Sequence, residues 1–505
     1  MSAMRGSRRA RAALAAVLVL MAAAVVGAWV WNDRQTRDVR GSAEKEFVLT
    51  ESPELEVVLA PAQPLPPASA PRSPLSAPAP TPPASSPPAS APTPTPPAAL
   101  SSVPEAPPAP APVPAQQSPI STAAEAAAHA ATMTAPRLTW SSWGLSPSRT
   151  RVVPREIALR PPFKRIWAIR SGSLMEYPPV VANGRLYVGT NLGRFLALEA
   201  ESGEIVWERE FGLCIAASPA LFEDIVLVSL MDPSPCKEHD PQAPGFLVAL
   251  DVASGEERWR FEAGVIESPP LVVGGVVYIG SWDRKVYAID ARSGVKLWEF
   301  ETGDRVKGGA SFRDGTVFIG SYDGRVYALD AASGALVWSA AGQLGLAGRG
   351  RVYSTPALAY GRVFVANLDG KVYAYGATSG ELIWSRSTGG FVYSSPAVWE
   401  EMVFVGSFDK HFYALDAVTG DMRWRFDAKG PIIGSPTVMD GLVYFSTTKA
   451  KTFALDARSG EVVWVFPAGE YSPLITDGQR VYIVGHSRLF AFEPAEPDSD
   501  DQAGG

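Results

Sequence analysis

Side chains that commonly build metal and redox sites are scarce in this chain of 505 residues. It has four histidines, at positions 129, 239, 411 and 486, and two cysteines, Cys214 and Cys236. The histidines show no spacing typical of metal ligands, and the acidic residues show no EF-hand-like spacing for calcium. We therefore predict that the protein holds no metal ion.

Long runs of positive charge are missing as well. The formal net charge is −7, and no extended run of lysine and arginine follows the first dozen residues. Proteins that bind DNA or RNA present basic patches that neutralise phosphates. We therefore expect no nucleic-acid partner.

One long hydrophobic run occurs, close to the N-terminus. Arginines within residues 5–11 precede a nearly uninterrupted apolar stretch over residues 12–31, which matches the roughly 20 residues needed to span a bilayer. Because the apolar core of a signal peptide has only about 7–15 residues, we predict that residues 1–34 form a basic cytoplasmic tail and a single-pass transmembrane signal-anchor. A signal peptide cleaved near residues 26–28 is the alternative. Either way, the basic flank places the rest of the chain on the extracytoplasmic side of the cytoplasmic membrane.

Composition separates a linker and a tail from the part that can fold. Residues 61–119 hold 23 of the 46 prolines, mixed with alanine, serine and threonine, and such a segment cannot build a core. We predict a disordered Pro/Ala/Ser-rich linker over 35–136, a folded domain over 137–495 and an acidic disordered tail over 496–505.

A motif of the form Ala-x-Asp-x3-Gly-x3-Trp is written seven times, and Glu199 and Gly376 replace the aspartate in two copies. The copies occupy residues 197–207, 249–259, 288–298, 328–338, 374–384, 414–424 and 454–464. Each period of about 40 residues contains four short strand signals, rich in β-branched and aromatic residues and bounded by turn residues. Four strands per repeat predict one blade of a β-propeller.

Fragments at the two ends of the domain complete one further blade. Residues 163–169 read as a lone outer strand with a tryptophan, and residues 472–493 supply three inner strands. We predict an all-β, eight-bladed propeller whose last blade is closed by the N- and C-terminal strands, which removes free sheet edges. Each blade then has one equivalent tryptophan: Trp167, Trp207, Trp259, Trp298, Trp338, Trp384, Trp424 and Trp464.

The repeated motif resembles the tryptophan-docking motif of the PQQ-like (pyrroloquinoline quinone) repeat propellers, over about residues 137–495. The resemblance implies that each tryptophan packs between neighbouring blades and bonds its indole N–H to backbone, a position that suits a large ring with one polar atom. The motif glycine permits a tight hairpin, and the aspartate can bond its own turn backbone. Residues 140–154 also resemble the lead-in segment that precedes such propellers.

The family contains several functional classes. Its quinoprotein dehydrogenases bind the quinone and calcium in the channel, its outer-membrane assembly factors are non-enzymatic lipoprotein scaffolds, and other members are sensor domains. This chain has no lipoprotein cysteine after the apolar run, no adjacent cysteine pair and no Cys-x-x-Cys-His haem motif. The leading prediction is a monomeric, non-catalytic scaffold without a cofactor that binds a cell-envelope protein or peptide. A PQQ- and calcium-dependent dehydrogenase and an extracytoplasmic ligand-sensing domain are the alternatives.

Positions at which the repeats differ carry the information about function. Aligned blades place one variable residue just before each innermost strand, where the side chains should ring the mouth of the channel. The candidate binding residues are Glu176, Glu267, Lys307, Tyr353, Tyr393 and Tyr471. The alternative is that each side chain packs locally on its own loop.

A second variable column follows the second strand of several blades, on the same face of the propeller. It contains Leu192, Trp282, Tyr322, Leu368 and Phe408. These apolar side chains form either a partner-binding patch or a cover for the neighbouring blade.

The two cysteines are predicted to form a disulfide, because cysteine pairs in exported proteins are typically oxidised. Cys214 lies in the loop that enters the second blade, and Cys236 lies in an insertion of the same blade over residues 231–245. Both loops belong to one face of the propeller. The bond would close a loop of about 20 residues and contribute about 3 kcal/mol of stability.

Overall fold

Eight four-stranded antiparallel sheets make up the folded domain. The computed structural model describes residues 137–233, 243–345, 348–471 and 474–495. Within each sheet the four strands, labelled A to D from the inner to the outer edge, pair in the order A, B, C, D, and several A strands contact the A strand of a neighbouring sheet. The predicted all-β, eight-bladed propeller is confirmed.

The strands are numbered in chain order, and within each blade they run from A at the axis to D at the outer edge. Blades 1 and 2 contain β2 Val180–Ala182, β3 Arg185–Gly189, β4 Arg194–Glu199, β5 Ile205–Glu210, and β6 Ala220–Phe222, β7 Ile225–Leu230, β8 Pro244–Asp251, β9 Glu257–Gly264. Blades 3 and 4 contain β10 Leu271–Val273, β11 Val276–Gly280, β12 Lys285–Asp290, β13 Lys296–Glu301, and β14 Ser311–Arg313, β15 Thr316–Gly320, β16 Arg325–Asp330, β17 Leu336–Ala341. Blades 5 and 6 contain β20 Ala357–Ala359, β21 Arg362–Asn367, β22 Lys371–Gly376, β23 Leu382–Ser387, and β24 Ala397–Trp399, β25 Met402–Gly406, β26 His411–Asp416, β27 Met422–Asp427. Blades 7 and 8 contain β28 Thr437–Met439, β29 Leu442–Thr447, β30 Lys451–Asp456, β31 Val462–Phe466, and β32 Ile475–Thr476, β33 Val481–Gly485, β34 Arg488–Pro494, β1 Phe163–Arg170. A small hairpin of β18 Leu344–Gly345 and β19 Gly348–Arg349 lies between blades 4 and 5.

Hydrophobic patterning explains how the blades stack. The B and C strands carry apolar side chains on both faces, and β25 is buried along its whole length because blade 6 is packed between two neighbours. The outer strand β27 alternates instead, with Trp424 and Phe426 partly buried and the intervening side chains exposed. This period of two is the pattern of a strand with one solvated face.

The eighth blade is closed by both ends of the domain, as predicted. β1 pairs antiparallel with β34, so that Phe163 lies opposite Pro494 and Arg170 lies opposite Arg488. β33 and β32 complete the sheet toward the axis. Closure of the ring therefore depends on strands that are more than 300 residues apart in sequence.

Tryptophans tie each blade to the next. In seven blades the indole Nε1–H donates to a backbone carbonyl of the next blade, at 2.9–3.1 Å. The accepting residue is the one directly after the aspartate position of the motif. The pairs are Trp167–Ala200, Trp207–Val252, Trp259–Ala291, Trp298–Ala331, Trp338–Ala377, Trp384–Ala417 and Trp424–Ala457. Trp464 faces blade 8, which has no C–D hairpin, and packs edge-on against Phe163 with ring centroids 5.4 Å apart.

The motif aspartate caps its own hairpin. Asp251 Oδ1 accepts hydrogen bonds from the backbone N–H groups of Ala253 and Ser254 at 2.9 and 2.8 Å. In the two copies without aspartate, the backbone carbonyls of Glu199 and Gly376 still accept the hydrogen bond that closes the hairpin. The aspartate therefore reinforces a turn that the backbone already forms.

Two physical constraints favour glycine at the motif position: a positive φ angle and close approach of a tryptophan ring. In blade 4, Gly334 has a φ of +73°, and a Cβ atom there would lie 2.7 Å from the ring of Trp298 in the preceding blade. The glycines of the other motif copies meet the preceding tryptophan in the same way. Glycine and tryptophan are thus coupled across each blade interface.

We expect Gly334→Ala to lower the free energy of unfolding by about 3 kcal/mol, because strain at positive φ adds to overlap with the tryptophan ring. Gly315→Ala is the matched control, since Gly315 lies in the same blade with a φ of +75° and a Cβ there would meet no atom within 4 Å. Its expected cost is about 1 kcal/mol from backbone strain alone. Urea unfolding of the two variants measures the difference, and equal losses would contradict the role of the ring.

Residues 138–153, which we call the axial segment, cross the propeller axis before the first strand begins. Six of its carbonyl groups accept the backbone N–H of the central residue of an A strand: Val181, Leu221, Phe312, Leu358, Val398 and Val438. The N–H of Leu138 donates to the carbonyl of Asp477 in blade 8, and Arg149 reaches the carbonyl of Pro270 in blade 3. The segment therefore contacts every blade and satisfies polar groups at the inner edges of the sheets.

Arg149 anchors the axial segment. Its side chain is fully buried, and its guanidinium donates to the carbonyls of Ala310, at 3.0 Å, Pro270, at 3.3 Å, and Trp143, and to Ser142 Oγ, at 3.0 Å. Burial lowers the pKa of this guanidinium. Carbonyl dipoles thus take the place of water around a buried charge.

Three predicted regions fall outside the described residues. They are the N-terminal tail and anchor over 1–34, the linker over 35–136 and the acidic tail over 496–505, and they stay predictions. In the part of the chain that the structure describes, no helix has the length and apolar character to cross a membrane.

Candidate functional site: the mouth cavity

The D–A and B–C loops lie on one face of the propeller, and the A–B turns lie at the opposite ends of the same strands. Backbone hydrogen bonds join the two sets of loops, from the N–H of Trp282 to the carbonyl of Val265 and from the N–H of Tyr322 to the carbonyl of Arg305. The two variable columns of the sequence therefore meet on this face.

A cavity of about 460 Å³ opens at the centre of this face, and we call it the mouth cavity. All six residues predicted to ring the mouth line it: Glu176, Glu267, Lys307, Tyr353, Tyr393 and Tyr471. Trp143 of the axial segment contributes its floor, and Tyr177, Tyr322 and Phe408 add aromatic walls. The structure brings the predicted side chains together, and their binding role stays a prediction.

Glu267 is the centre of a hydrogen-bonded network in the cavity. Its Oε1 accepts from the hydroxyl of Tyr353 at 2.8 Å, and its Oε2 accepts from Trp282 Nε1 at 3.2 Å and pairs with Lys307 Nζ at 2.9 Å. The hydroxyls of Tyr353 and Tyr177 lie 2.9 Å apart. Because these residues belong to blades 1, 3, 4 and 5, the network fixes the blades relative to one another.

Aromatic faces surround the lysine of the cavity. Lys307 Nζ lies 3.9 Å from the ring centroid of Trp282 and 5.3 Å from that of Tyr322. Arg305 and Arg351 stack on the same two rings, with guanidinium carbons at 5.1 and 5.4 Å. Contacts of this kind stabilise a cation by about 0.5–2 kcal/mol.

Glu176 is the carboxyl group of the cavity whose pKa is shifted to near neutral pH. Burial, followed by the charge of Glu267, raises the pKa of Glu176 to about 7, and Lys307 acts in the opposite direction. The carboxyl therefore exchanges its proton near neutral pH, which is common at functional sites.

Four tyrosine hydroxyls of the cavity stay protonated at physiological pH. Burial raises the pKa of Tyr177, Tyr322, Tyr353 and Tyr471 above the usual range. A neutral hydroxyl both donates and accepts a hydrogen bond. The walls therefore offer aromatic faces and adaptable polar atoms together.

Two residues of the cavity, Trp143 and Tyr177, were missed by reasoning from the repeats. Trp143 belongs to the axial segment, which has no counterpart in the repeat alignment. Tyr177 occupies a column in which most blades have serine, glycine, threonine or proline. Its departure from the small residues was the signal that could have found it.

The residues of the second variable column differ in exposure, so one interpretation describes some of them and the other interpretation describes the rest. Trp282 is 4% exposed and packs inside the face, whereas Leu192 and Phe408 are 47% and 48% exposed. Phe408 lies beside the exposed Phe391, with ring centroids 6.5 Å apart. An apolar pair therefore stands next to the mouth cavity, which Phe408 also lines.

Cys214 is fully buried in a cluster that includes Ala216 and Trp282. Cys236 lies outside the described residues. The disulfide between the two cysteines therefore stays a prediction.

A family model described as "Outer membrane protein assembly factor BamB" matches residues 145–234, 241–341, 283–390 and 369–496, which together exceed half of the chain. The chain belongs to this family of PQQ-like repeat propellers. The resemblance carried by the tryptophan motif is confirmed.

Curated relatives within the family match over shorter stretches. The chain is 27% identical over 144 residues to the outer membrane protein assembly factor BamB of Nitrosomonas eutropha, a match that covers 28% of this chain and 32% of that protein. It is 28% identical over 127 residues to BamB of Escherichia coli strain K12, covering 24% and 31%. The matches thus span about a third of the length of these relatives.

Solved structures share the propeller fold at low sequence identity. BamB from Moraxella catarrhalis superposes with a TM-score of 0.54 at 18% identity, covering 66% of this chain and 99% of that one. Quinohemoprotein alcohol dehydrogenase from Comamonas testosteroni superposes with a TM-score of 0.59 at 16% identity, covering 72% and 82%. The fold is therefore shared by a named assembly factor and a named dehydrogenase.

The mouth cavity of this PQQ-like propeller does not fit a quinone with several carboxylates. The charged side chains that line it are Glu176, Glu267 and Lys307, and Lys307 is already paired with Glu267. An anionic cofactor would have to displace this ion pair and lie beside the Glu176 carboxyl group. Within the described ranges, no group of three or more acidic, histidine or cysteine side chains is placed to hold a metal ion such as calcium.

Proposed function

We propose that the protein is a non-catalytic scaffold or assembly factor that binds a cell-envelope protein or peptide at the mouth cavity. The observation that carries this proposal is the cavity itself, where six side chains from variable positions of the repeats converge on one aromatic site. Relatives named as outer membrane assembly factors support it. Structural repeats build the ring, and the positions at which they differ build the site.

The chemistry of the mouth suits a protein partner. Tyrosine and tryptophan dominate the energetic centres of protein interfaces because they bury a large area and keep a polar atom. Phe391, Phe408 and Leu192 are each about half exposed on the same face and extend the apolar surface beyond the cavity. A partner can thus insert one side chain and rest on the surrounding rim.

The predicted anchor and linker would present this binding face at a distance from the membrane. The anchor over residues 12–31 would keep the chain in the cytoplasmic membrane, with a monomeric propeller on the extracytoplasmic side. If residues 61–119 were fully extended, they would reach on the order of 180 Å at about 3.1 Å per residue. Protease treatment of cells whose outer layers have been removed tests this placement. We expect the protease to release the propeller into the medium.

Site-specific photo-crosslinking in intact cells tests the binding function. A photoreactive residue at Tyr393, which packs on Tyr353 with ring centroids 5.4 Å apart, is expected to capture one specific envelope protein. The matched control is Tyr360, a tyrosine that is 49% exposed in the A–B turn on the opposite face. Capture of the same products from both positions, or of none from Tyr393, would contradict binding at the mouth.

A quinone-dependent dehydrogenase is the rival function, since the fold is shared with one. We expect no saturable absorbance change and no dye reduction when the full chain is mixed with pyrroloquinoline quinone, calcium and primary alcohols. Turnover that saturates with the quinone would overturn the non-catalytic scaffold.

A further inference from the structure

A row of aromatic rings crosses the mouth cavity from blade 4 to blade 6, and we call it the aromatic row. Tyr353 lies next to Tyr322, with ring centroids 6.4 Å apart, and next to Tyr393, with ring centroids 5.4 Å apart. Phe408 lines the same cavity and lies beside the exposed Phe391, with ring centroids 6.5 Å apart. The aromatic surface of the cavity therefore continues onto its rim.

Hydrogen-bond donors lie among these rings. Tyr177 and Tyr353 already use their hydroxyls in the network around Glu267. Within the part of the chain that the structure describes, the hydroxyls of Tyr322 and Tyr393 form no hydrogen bond. Each of these two hydroxyls can therefore donate to a carbonyl group of a bound molecule.

The charged side chains at the mouth do not favour a charged ligand. Lys307 is paired with Glu267, and Arg305 and Arg351 stack on aromatic rings of the same site. Glu176 adds a second carboxyl group, so the site contains groups of both signs in nearly equal number. An uncharged ligand with apolar faces and carbonyl oxygens therefore matches the mouth better than an ion does.

A proline-rich chain in the polyproline II conformation has these properties. It makes no internal hydrogen bonds, so its carbonyl oxygens stay free, and it presents apolar proline rings. Grooves lined by aromatic side chains recognise this conformation in several kinds of protein domain. The conformation rises about 3.1 Å per residue, so each step between neighbouring rings of Tyr322, Tyr353 and Tyr393 is close to the rise of two residues.

The chain itself contains a segment of this composition. Residues 61–119, which we call the proline-rich segment, hold 23 of the 46 prolines. Arg72 and Glu105 are its only charged residues. Such a composition favours the extended polyproline II conformation. The segment is therefore a nearly uncharged ligand that is covalently attached to the propeller.

The connection is long enough for the proline-rich segment to reach the mouth. The N–H of Leu138 donates to the carbonyl of Asp477 in the A–B turn of blade 8, so the chain enters the domain on the face opposite the mouth. Four strands spaced about 4.8 Å apart, each about 20 Å long, put the path around the ring at about 70 Å. About 25 extended residues cover this path, and most of residues 61–119 lies further than that from residue 137.

We propose that the mouth cavity binds the proline-rich segment of the same chain in the polyproline II conformation. Attachment to the propeller gives the segment an effective concentration on the order of 1 mM, so a modest intrinsic affinity is sufficient. Docking of the segment does not depend on an envelope partner. A partner that binds at the mouth has to displace the segment first.

Photo-crosslinking of the purified full chain tests the proposal. A photoreactive residue at Tyr393 is expected to join residues 61–119 of the same chain, with a yield at least about fivefold higher than from Tyr360 on the opposite face. Mass spectrometry of the digested product identifies the joined segment, and the yield should not change on about tenfold dilution. Equal yields from both positions, no product from Tyr393, or a product that joins two chains would overturn the proposal.

A variant of the proline-rich segment isolates the role of proline. Its prolines are replaced alternately with alanine and serine, which keeps the length and charge of the segment and removes the proline rings and the preference for polyproline II. We expect the Tyr393 product to fall to the yield obtained from Tyr360. An unchanged yield would show that the cavity does not recognise proline and would overturn the proposal.

A free peptide with the sequence of residues 81–98 should compete for the same site. Because the attached segment has an effective concentration on the order of 1 mM, we expect the peptide to halve the Tyr393 product at about 1–10 mM. The control is the same peptide with its prolines replaced alternately with alanine and serine, which should leave the yield unchanged. Equal effects of the two peptides would contradict recognition of the polyproline II conformation.

A Phe408→Ser variant tests the aromatic row without opening the core, since Phe408 is 48% exposed. We expect the yield of the Tyr393 product to fall at least about twofold, because one aromatic contact with the segment is lost. Leu192→Ser is the matched control, since Leu192 is 47% exposed in the same column of loops and does not line the cavity. Equal effects of the two substitutions would contradict docking on the aromatic row.

Crosslinking in cells separates this docking from the scaffold function proposed above. Capture of an envelope protein at Tyr393 in cells, with no intramolecular product in the purified chain, would overturn the docking and leave the scaffold function standing. An intramolecular product in the purified chain, with no captured protein in cells, would support the docking and overturn partner binding at the mouth.

Discussion

Replacing Arg149 with alanine is expected to lower the free energy of unfolding by about 4 kcal/mol, because each buried acceptor left without a donor costs about 1–3 kcal/mol. The lost partners are the carbonyls of Ala310, Pro270 and Trp143. Relief of the buried charge offsets part of this cost. Urea unfolding of the full chain, followed by tryptophan fluorescence, measures the change.

Arg155→Ala is the control for this prediction. Arg155 belongs to the same N-terminal region, but its side chain is 82% exposed and makes one ion pair with Glu400 at 2.9 Å. Its expected cost is below about 1 kcal/mol. Similar losses for the two variants would show that the axial segment does not hold the blades together.

A Trp298→Ala variant should lose about 4 kcal/mol, since removal of a buried tryptophan typically costs about 3–5 kcal/mol. Trp298 is 9% exposed and donates to the carbonyl of Ala331 in the next blade at 2.9 Å. Trp298→Phe keeps most of the ring and loses this hydrogen bond, so its expected cost is about 1–2 kcal/mol. The two variants separate ring packing from hydrogen bonding.

The coupling between glycine and tryptophan gives this prediction a second check. In the Trp298→Ala background, Gly334→Ala should cost only about 1 kcal/mol, because the ring that its Cβ meets is gone. Strict additivity of the two substitutions would contradict the packing described for the blade interface. The same four-variant cycle can be repeated with Trp338 and Gly380, which meet in the same way.

The architecture could be predicted from sequence because its determinants repeat. A motif written seven times specifies the hairpin, the blade interface and the period. The fold can therefore be predicted even where a single copy departs from the motif. The eighth blade followed from two fragments whose strand types are complementary, and β1 pairs with β34 as expected. Glu199 and Gly376, which depart from the motif, leave the hairpin closed.

The axial segment could not be predicted in the same way. Its hydrogen bonds join residues 138–153 to every blade over separations of tens to hundreds of residues, and no repeated pattern in the sequence indicates them. Leu145, Arg149 and Arg151 adopt positive φ values of 69°, 58° and 59°, which neither residue type favours. The surrounding A strands impose this backbone, and only the folded ring provides them.

The mouth cavity was predicted in part. Alignment of the blades placed one variable residue per blade at the mouth, and in the folded ring six residues of that column line the mouth cavity. Side-chain directions decide two contacts that the alignment could not predict. They are the hydrogen bond between Glu267 and Tyr353 and the packing of Lys307 over the ring of Trp282. Those directions depend on contacts between blades that are far apart in sequence, such as the 86 residues between Glu267 and Tyr353.

Comparison of the photo-crosslinked products from Tyr393 and Tyr360 in intact cells tests the central claim most directly. If the mouth cavity binds an envelope partner, Tyr393 should capture one specific protein with a yield at least about fivefold higher than Tyr360, which lies on the opposite face. Immunoblotting and mass spectrometry of the captured product give the measurement. Equal yields of the same product from both positions would contradict the claim that the cavity is where the partner binds.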